Sequence, residues 1–219
     1  MPMRASYELE LKQVYDNLIS MCRHIEIAIE KCTQALVQRD NVIAAEVFKE
    51  DKLVDGLEHD IEQCCFKILL MEHPVAGDFR EITAALKMIT DLERISDQAR
   101  NIAEIAMQFG DEKYIKKLEH IPQMAVLTIQ MVKDGVLAYI NRDLALARSL
   151  EKADDKVDEL FKVVMRDLTE LIRKDPATAE QAILFMMITK YLERIGDHAV
   201  NIGEWVEYAI TGSHGAEES

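Results

Sequence analysis

Apolar positions Leu11, Val14, Leu18, Met21, Ile25, Ile29 and Leu36 recur at the three- and four-residue intervals of one helix face. The spacing predicts a helix over 5–38. After a break near Arg39–Asn41, the same period continues over 41–72 and stops at His73-Pro74. Proline cannot continue a helix and biases the residue before it away from helical angles. A third pattern runs over 77–108, to Gly110. The rest of the chain repeats the layout, with helices predicted over 121–140, 143–174 and 177–211 and a break at Asp175-Pro176. Gly212 and the polar residues after it are expected to fray. No alternating β pattern is sustained. Long helices with short connections pack as antiparallel neighbours. The predicted fold class is therefore all-α: two tandem three-helix bundles, residues 1–110 and 111–219.

The halves match residue by residue. Leu-Glu-Arg-Ile, an Asp four after the Glu, Asn-Ile and a further Glu occur from Leu92 to Glu104 and again, 100 residues on, from Leu192 to Glu204. Upstream, Arg39-Asp40 recurs as Arg142-Asp143, and Val54-Asp55-x-Leu57 as Val157-Asp158-x-Leu160, both 103 residues apart. Ordered matches at nearly constant offset mark an internal duplication.

On a helical wheel at about 100° per residue, Glu93, Asp97, Asn101 and Glu104 share one face within about 80°. Ile95, Ala99, Ile102 and Ala106 lie roughly opposite, towards the core. Glu193, Asp197, Asn201 and Glu204 repeat the stripe, opposite Ile195, Ala199 and Ile202. Each middle helix adds acids: Asp51, Asp55, Glu58 and Glu62 in the first half, and Asp154 and Asp158 by alignment in the second. Carboxylates at i and i+4 repel mildly, and a multivalent cation would offset this. Oxygen ligands in that arrangement suit hard or borderline cations. The alternative is a solvated acidic face paired with Arg94, Arg100 and Arg194. Against it, the acids recur while Arg100 becomes Val200. Asp155 with Glu159 offers a competing register in the second half, and His59 and His198 lie off the stripe centres.

Composition narrows the choices. A net charge of −14 without a concentrated basic patch excludes nucleic acid and anionic lipid as expected partners. No apolar run approaches the roughly 20 residues that span a bilayer, so no direct membrane insertion is expected. No basic-then-apolar leader opens the chain, so the expected location is cytoplasmic. The cysteines Cys22, Cys32, Cys64 and Cys65 show no zinc-ligand spacing and are expected as buried thiols, with redox chemistry at Cys64–Cys65 a weaker option. Met88, Met186 and Met187 fall in core-like patterns. No HExxH, Walker A or GxSxG motif occurs, nor the Glu-x-x-His pairs of di-iron bundles. The chain is not expected to be an enzyme.

The segment from Pro74 to Glu104, with its Pro-Val-Ala-x-Asp turn and Glu-Arg-Ile-x-Asp core, resembles the signature of the PhoU family, and Glu193-Arg-Ile-Gly-Asp197 matches that core more closely. The second half departs from the pattern at Asp175-Pro176, which replaces the Pro-Val-Ala turn. The resemblance implies a non-enzymatic negative regulator of phosphate uptake and phosphate-responsive signalling. It would act as an adaptor between a phosphate ABC transporter and a sensor histidine kinase, as a homodimer, peripheral at the inner membrane through its protein partners. It implies divalent or trivalent metal, iron or zinc before magnesium or manganese. Carried over by motif, the ligands are Glu93 and Asp97 with Asp51 and Asp55, then Glu193 and Asp197 with Asp154 and Asp158. Asn101, Glu104, Asn201 and Glu204 are secondary candidates. Two other readings stay open: a carboxylate-bundle metal-storage protein or metalloenzyme, and a metal-free helical scaffold.

Overall fold

The computed structural model describes residues 3–72, 74–110 and 113–213. They form six α-helices and no strand: α1 (Met3–Gln38), α2 (Asn41–Met71), α3 (Ala76–Ala106), α4 (His120–Asn141), α5 (Leu144–Lys174) and α6 (Ala179–Thr211). The helices begin and end within a few residues of the predicted bounds. At Asp175-Pro176 the break is followed by a 3-10 turn, Pro176–Thr178, because the Asp175 carboxylate accepts the Ala177 N–H at 3.0 Å. The tail after Ser213 and His73 of the first break lie outside the described residues.

The recurring Arg-Asp pair proves to be a helix-to-helix turn. Arg39 and Arg142 adopt left-handed φ angles of 59° and 52°. The next amide reaches back to close the preceding helix, Asp40 N–H to Ala35 O at 3.1 Å and Asp143 N–H to Ala138 O at 2.9 Å. This is Schellman geometry, with arginine where glycine is commoner. The aspartate then caps the next helix: Asp40 Oδ1 accepts from Val42 N at 2.8 Å, and Asp143 Oδ1 from Leu146 N at 3.0 Å. One dipeptide thus stops one helix and starts another.

α1, α2 and α3 pack on one another, as do α4, α5 and α6. The units are joined by α3 lying against α6 and, less extensively, α1 against α4. α3 and α6 run antiparallel: Arg80 lies beside Gly212, Lys87 over the Trp205 ring, and Asp91 against Asn201. A single continuous core results, from Leu18, Met21 and Ile25 through Met88 and Leu92 to Ile188 and Leu192. The buried positions Ala44, Val47, Val54, Ile61 and Cys65 of α2 reappear 103 residues on as Ala147, Leu150, Val157, Val164 and Leu168 of α5. The duplication therefore holds in three dimensions from Ala44 to Cys65 and from Ala147 to Leu168 of the middle helices.

Ile95, Ala99, Ile102 and Ala106, and Ile195, Ala199 and Ile202, are buried as the wheel predicts. Met88 is buried and Met186 is packed against the core, but Met187 is exposed, which corrects the expectation for it. α3, α4 and α5 cover the other faces of α6, and Met187 falls on the face they leave open. Cys22, Cys32 and Cys65 are buried free thiols, and burial pushes each up to about 12. Cys64 is half-buried and is also raised by burial.

Candidate metal centre

In the first half, α2 and α3 bring Asp51, Asp55, Glu93 and Asp97 to one seam. Asp51 is buried, and both of its oxygens are used. Ser96 Oγ donates to Oδ1 at 2.8 Å, and Arg100 Nη1 to Oδ2 at 2.8 Å. The same guanidinium reaches Asp97 Oδ1 from Nη2 at 2.8 Å. Arg94 pairs with Asp97 at 3.2 Å and with Glu93 at 3.3 Å. Some repulsion remains nearby. Asp55 is raised by burial and by the Asp51 and Asp97 charges, against the pull of Arg100. Glu93 is raised by burial and Asp97, with Arg94 opposing. Glu58 joins this group, raised by burial and by Glu62 and Asp55.

The second half keeps the acids and loses their internal partners. Gly196 stands where the first half has Ser96, and Val200 where it has Arg100. Asp154, the counterpart of Asp51, has an Oδ1 enclosed by protein with no hydrogen-bond partner. It points at Gly196 so closely that a Cβ there would collide with it. Its carboxyl is pushed up to about 6, first by burial and then by the charges of Asp197, Asp158, Glu193 and Asp155. Lys190 pairs with Glu193, and Lys162 approaches Asp158 at 3.5 Å. Asp155 and Glu159 are exposed, so Asp154 with Asp158 is the register that faces α6.

The secondary candidates divide. Asn201 donates to Asp91 Oδ1 at 3.2 Å and so belongs to the contact between halves, not to the stripe. Asp91 also accepts from Trp205 Nε1 at 3.2 Å and meets His198 Nδ1 at 2.9 Å. Glu104 is exposed, 3.9 Å from Arg100; Glu204 is exposed and Asn101 half-buried.

Among the described residues no three His, Cys, Asp or Glu side chains converge into a ready-made metal site. An enclosed carboxylate oxygen without a donor, under the charges of Asp197, Asp158 and Glu193 on its own and the facing helix, fits a hard cation in the second half. In the first half the tethered guanidinium of Arg100 already bridges Asp51 and Asp97, and a metal would have to displace it.

Recurrence singled out the acids, and Arg94 and Arg100 were weighed as their ion-pair partners; the Ser96 hydroxyl on Asp51 was missed. Ser96 and Arg100 matter because they do not recur, and the only available signal was their replacement at otherwise repeated positions. Asp91 and Glu81 were missed for the same reason. Glu81 is a buried carboxylate on α3 that accepts from Tyr15 at 2.5 Å and from Arg142 at 3.0 Å, joining α1, α3 and α4.

Comparison with known proteins bears on this arrangement. The PhoU domain matches residues 18–106 and again 121–206, one copy per three-helix unit. A "phosphate-specific transport system accessory protein PhoU homolog" of Clostridium acetobutylicum is 34% identical over 210 residues, 95% of this chain and 96% of its own. One of Aquifex aeolicus is 36% identical over 185 residues, 84% of each chain. The crystal structure of PhoU from Pseudomonas aeruginosa superposes with a TM-score of 0.89 at 30% identity, covering 94% of this chain and 100% of that one. That of Streptococcus pneumoniae, at 22% identity, shares the fold with a TM-score of 0.86 over 95% of this chain and 98% of its own. With both domain copies matched and relatives above 30% identity along nearly its whole length, the chain belongs to the PhoU family.

Proposed function

We propose that this chain is an accessory regulator of phosphate uptake and phosphate-responsive signalling. It would act without catalysis as an adaptor between a phosphate ABC transporter and a sensor histidine kinase on the cytoplasmic side of the membrane. The observation that carries the reading is the near full-length similarity to phosphate-specific transport system accessory proteins. Among the described residues no helix is long and apolar enough to cross a membrane, in keeping with attachment through protein partners. Regulation would arise by differential binding: the chain favours whichever partner state it contacts best and shifts that equilibrium by the difference in affinity. Binding to purified transporter in nanodiscs, with and without saturating phosphate, tests this. Equal affinity in both states, or none, ends the adaptor reading.

Metal belongs to the same proposal, with the two halves unequal. Asp154, Asp158, Glu193 and Asp197 would hold a divalent or trivalent cation, iron or zinc before manganese or magnesium. Asp51, Asp55, Glu93 and Asp97 would take one only at higher concentration, because Arg100 competes. A bound cation would offset the burial and the neighbouring charges that raise Asp154. Metal content by mass spectrometry on protein purified without an affinity tag checks this. Glu193→Gln/Asp197→Asn should remove the tightly held equivalent, and Glu93→Gln/Asp97→Asn should leave it. Protein that also refuses added iron, zinc, manganese and magnesium would remove the metal claim and leave the adaptor reading standing.

A further inference from the structure

The end of α2, the turn after it and the start of α3 expose apolar side chains that the fold does not require. Phe66 is 42% exposed, Leu70 77%, Met71 64%, Val75 71% and Phe79 50%. Phe66 and Leu70 lie one helical turn apart on the same face, Met71 ends α2, Val75 caps α3, and Phe79 follows one turn in. The amino-terminal part of α1 lies beside this end of α2: Ser6 donates to Glu72 at 2.8 Å, and Lys67 pairs with Glu10 at 2.6 Å.

The duplication supplies an internal control. At the matching positions of the second half stand Thr169, Arg173, Lys174, Asp175 and Ala179. The register is fixed for the α2 positions, 103 residues apart, by Ile61 and Cys65 against Val164 and Leu168, and for Phe79, 100 residues apart, by Ile82 and Ala85 against Ala182 and Phe185, all buried. One copy of the unit therefore folds with polar or small residues where the other displays large apolar ones. Contacts among the described residues do not explain them, and an exposed apolar cluster of this kind marks an interaction surface.

The surroundings say what kind of partner fits. Glu62, Glu72 and Asp78 flank the cluster, while the nearest lysine, Lys67, is engaged with Glu10. Arg80 is directed towards Gly212 at the end of α6. A second copy of this chain would bring two such acidic rims together, and anionic lipid would meet the same repulsion from a chain of net charge −14. We propose that this end of the first unit is the docking surface for a segment of the phosphate transporter that offers an apolar ridge flanked by lysine or arginine. The inference rests on the accessory reading above and adds the surface to it.

The test gives the first half the residues that the second half already carries. Full-length Phe66→Thr/Leu70→Arg/Met71→Lys should keep its helical content by circular dichroism. Its affinity for purified transporter in neutral-lipid nanodiscs should fall by about ten-fold or more, as for loss of interface anchors. Wild-type binding retained by the variant within about two-fold would overturn the surface and spare the adaptor reading. A wild type that does not bind the transporter overturns both. If the substitutions instead abolish binding to empty anionic nanodiscs, or self-association in sedimentation with transporter binding intact, the face belongs to lipid or to a second copy and the inference fails.

Discussion

Asp51 and Asp154 occupy equivalent positions and live under opposite electrostatics. Asp51 is buried with a hydroxyl on one oxygen and a guanidinium on the other. Asp154 has an enclosed oxygen with no donor and a carboxyl pushed up to about 6. A raised acid means the native state holds its proton more tightly than the unfolded chain. Asp154 is thus harmless below its unfolded value and costs stability as the pH climbs through about 6. In metal-free protein at pH 7, Asp154→Asn should therefore stabilise by about 1 kcal/mol after allowance for solvent screening. Urea melts at pH 7 and pH 4 check this, and the gain should vanish at the lower pH. The converse holds at Arg100. Arg100→Val strands the Asp51 carboxylate and should cost about 2 kcal/mol in urea unfolding, while strengthening metal uptake by the first half. Val200→Arg should weaken uptake by the second, read by metal titration.

At the scale of elements, the Arg-Asp turns do the most with the fewest residues. Asp40→Ala removes an acceptor from two amides and Asp143→Ala from one. Each should cost about 1 kcal/mol, and lower Tm by roughly 2–4 °C in a chain of this size. Helix positions were legible in the sequence because apolar period and proline breaks are local signals. The stripes were legible too, because one helix sets the angles among Glu93, Asp97 and Glu104. What one helix cannot show is which neighbour its faces meet. Asn201 lies on the acidic side by angle yet donates to Asp91 of α3, and Met187 has a core-like spacing on a face that no helix covers. The choice of Asp154 over Asp155 likewise needed α6 in place.

At the scale of the molecule, the units are not separable bodies. α3 and α6 bury their facing sides against each other, and the Asp91 and Glu81 carboxylates tie helices across the boundary. One unfolding transition is expected by circular dichroism and by Trp205 fluorescence, with coincident midpoints. Residues 1–110 expressed alone would present to water the α3 face that α6 covers. That fragment should melt well below the whole chain or associate, which sedimentation would show. A fragment as stable as the full chain would mean that contacts between the units contribute little.

The antiparallel pairing of α3 with α6 is also the arrangement two separate copies of a three-helix unit would adopt about a twofold axis. In such a dimer every substitution appears twice, and an arginine that quenches one acidic seam must quench the other. Joining the copies in one chain lifts that constraint. Here one seam carries Arg100 and its twin Val200, and one tip carries Leu70 and its twin Arg173. A single polypeptide can thereby assign different tasks to surfaces that share a common geometry.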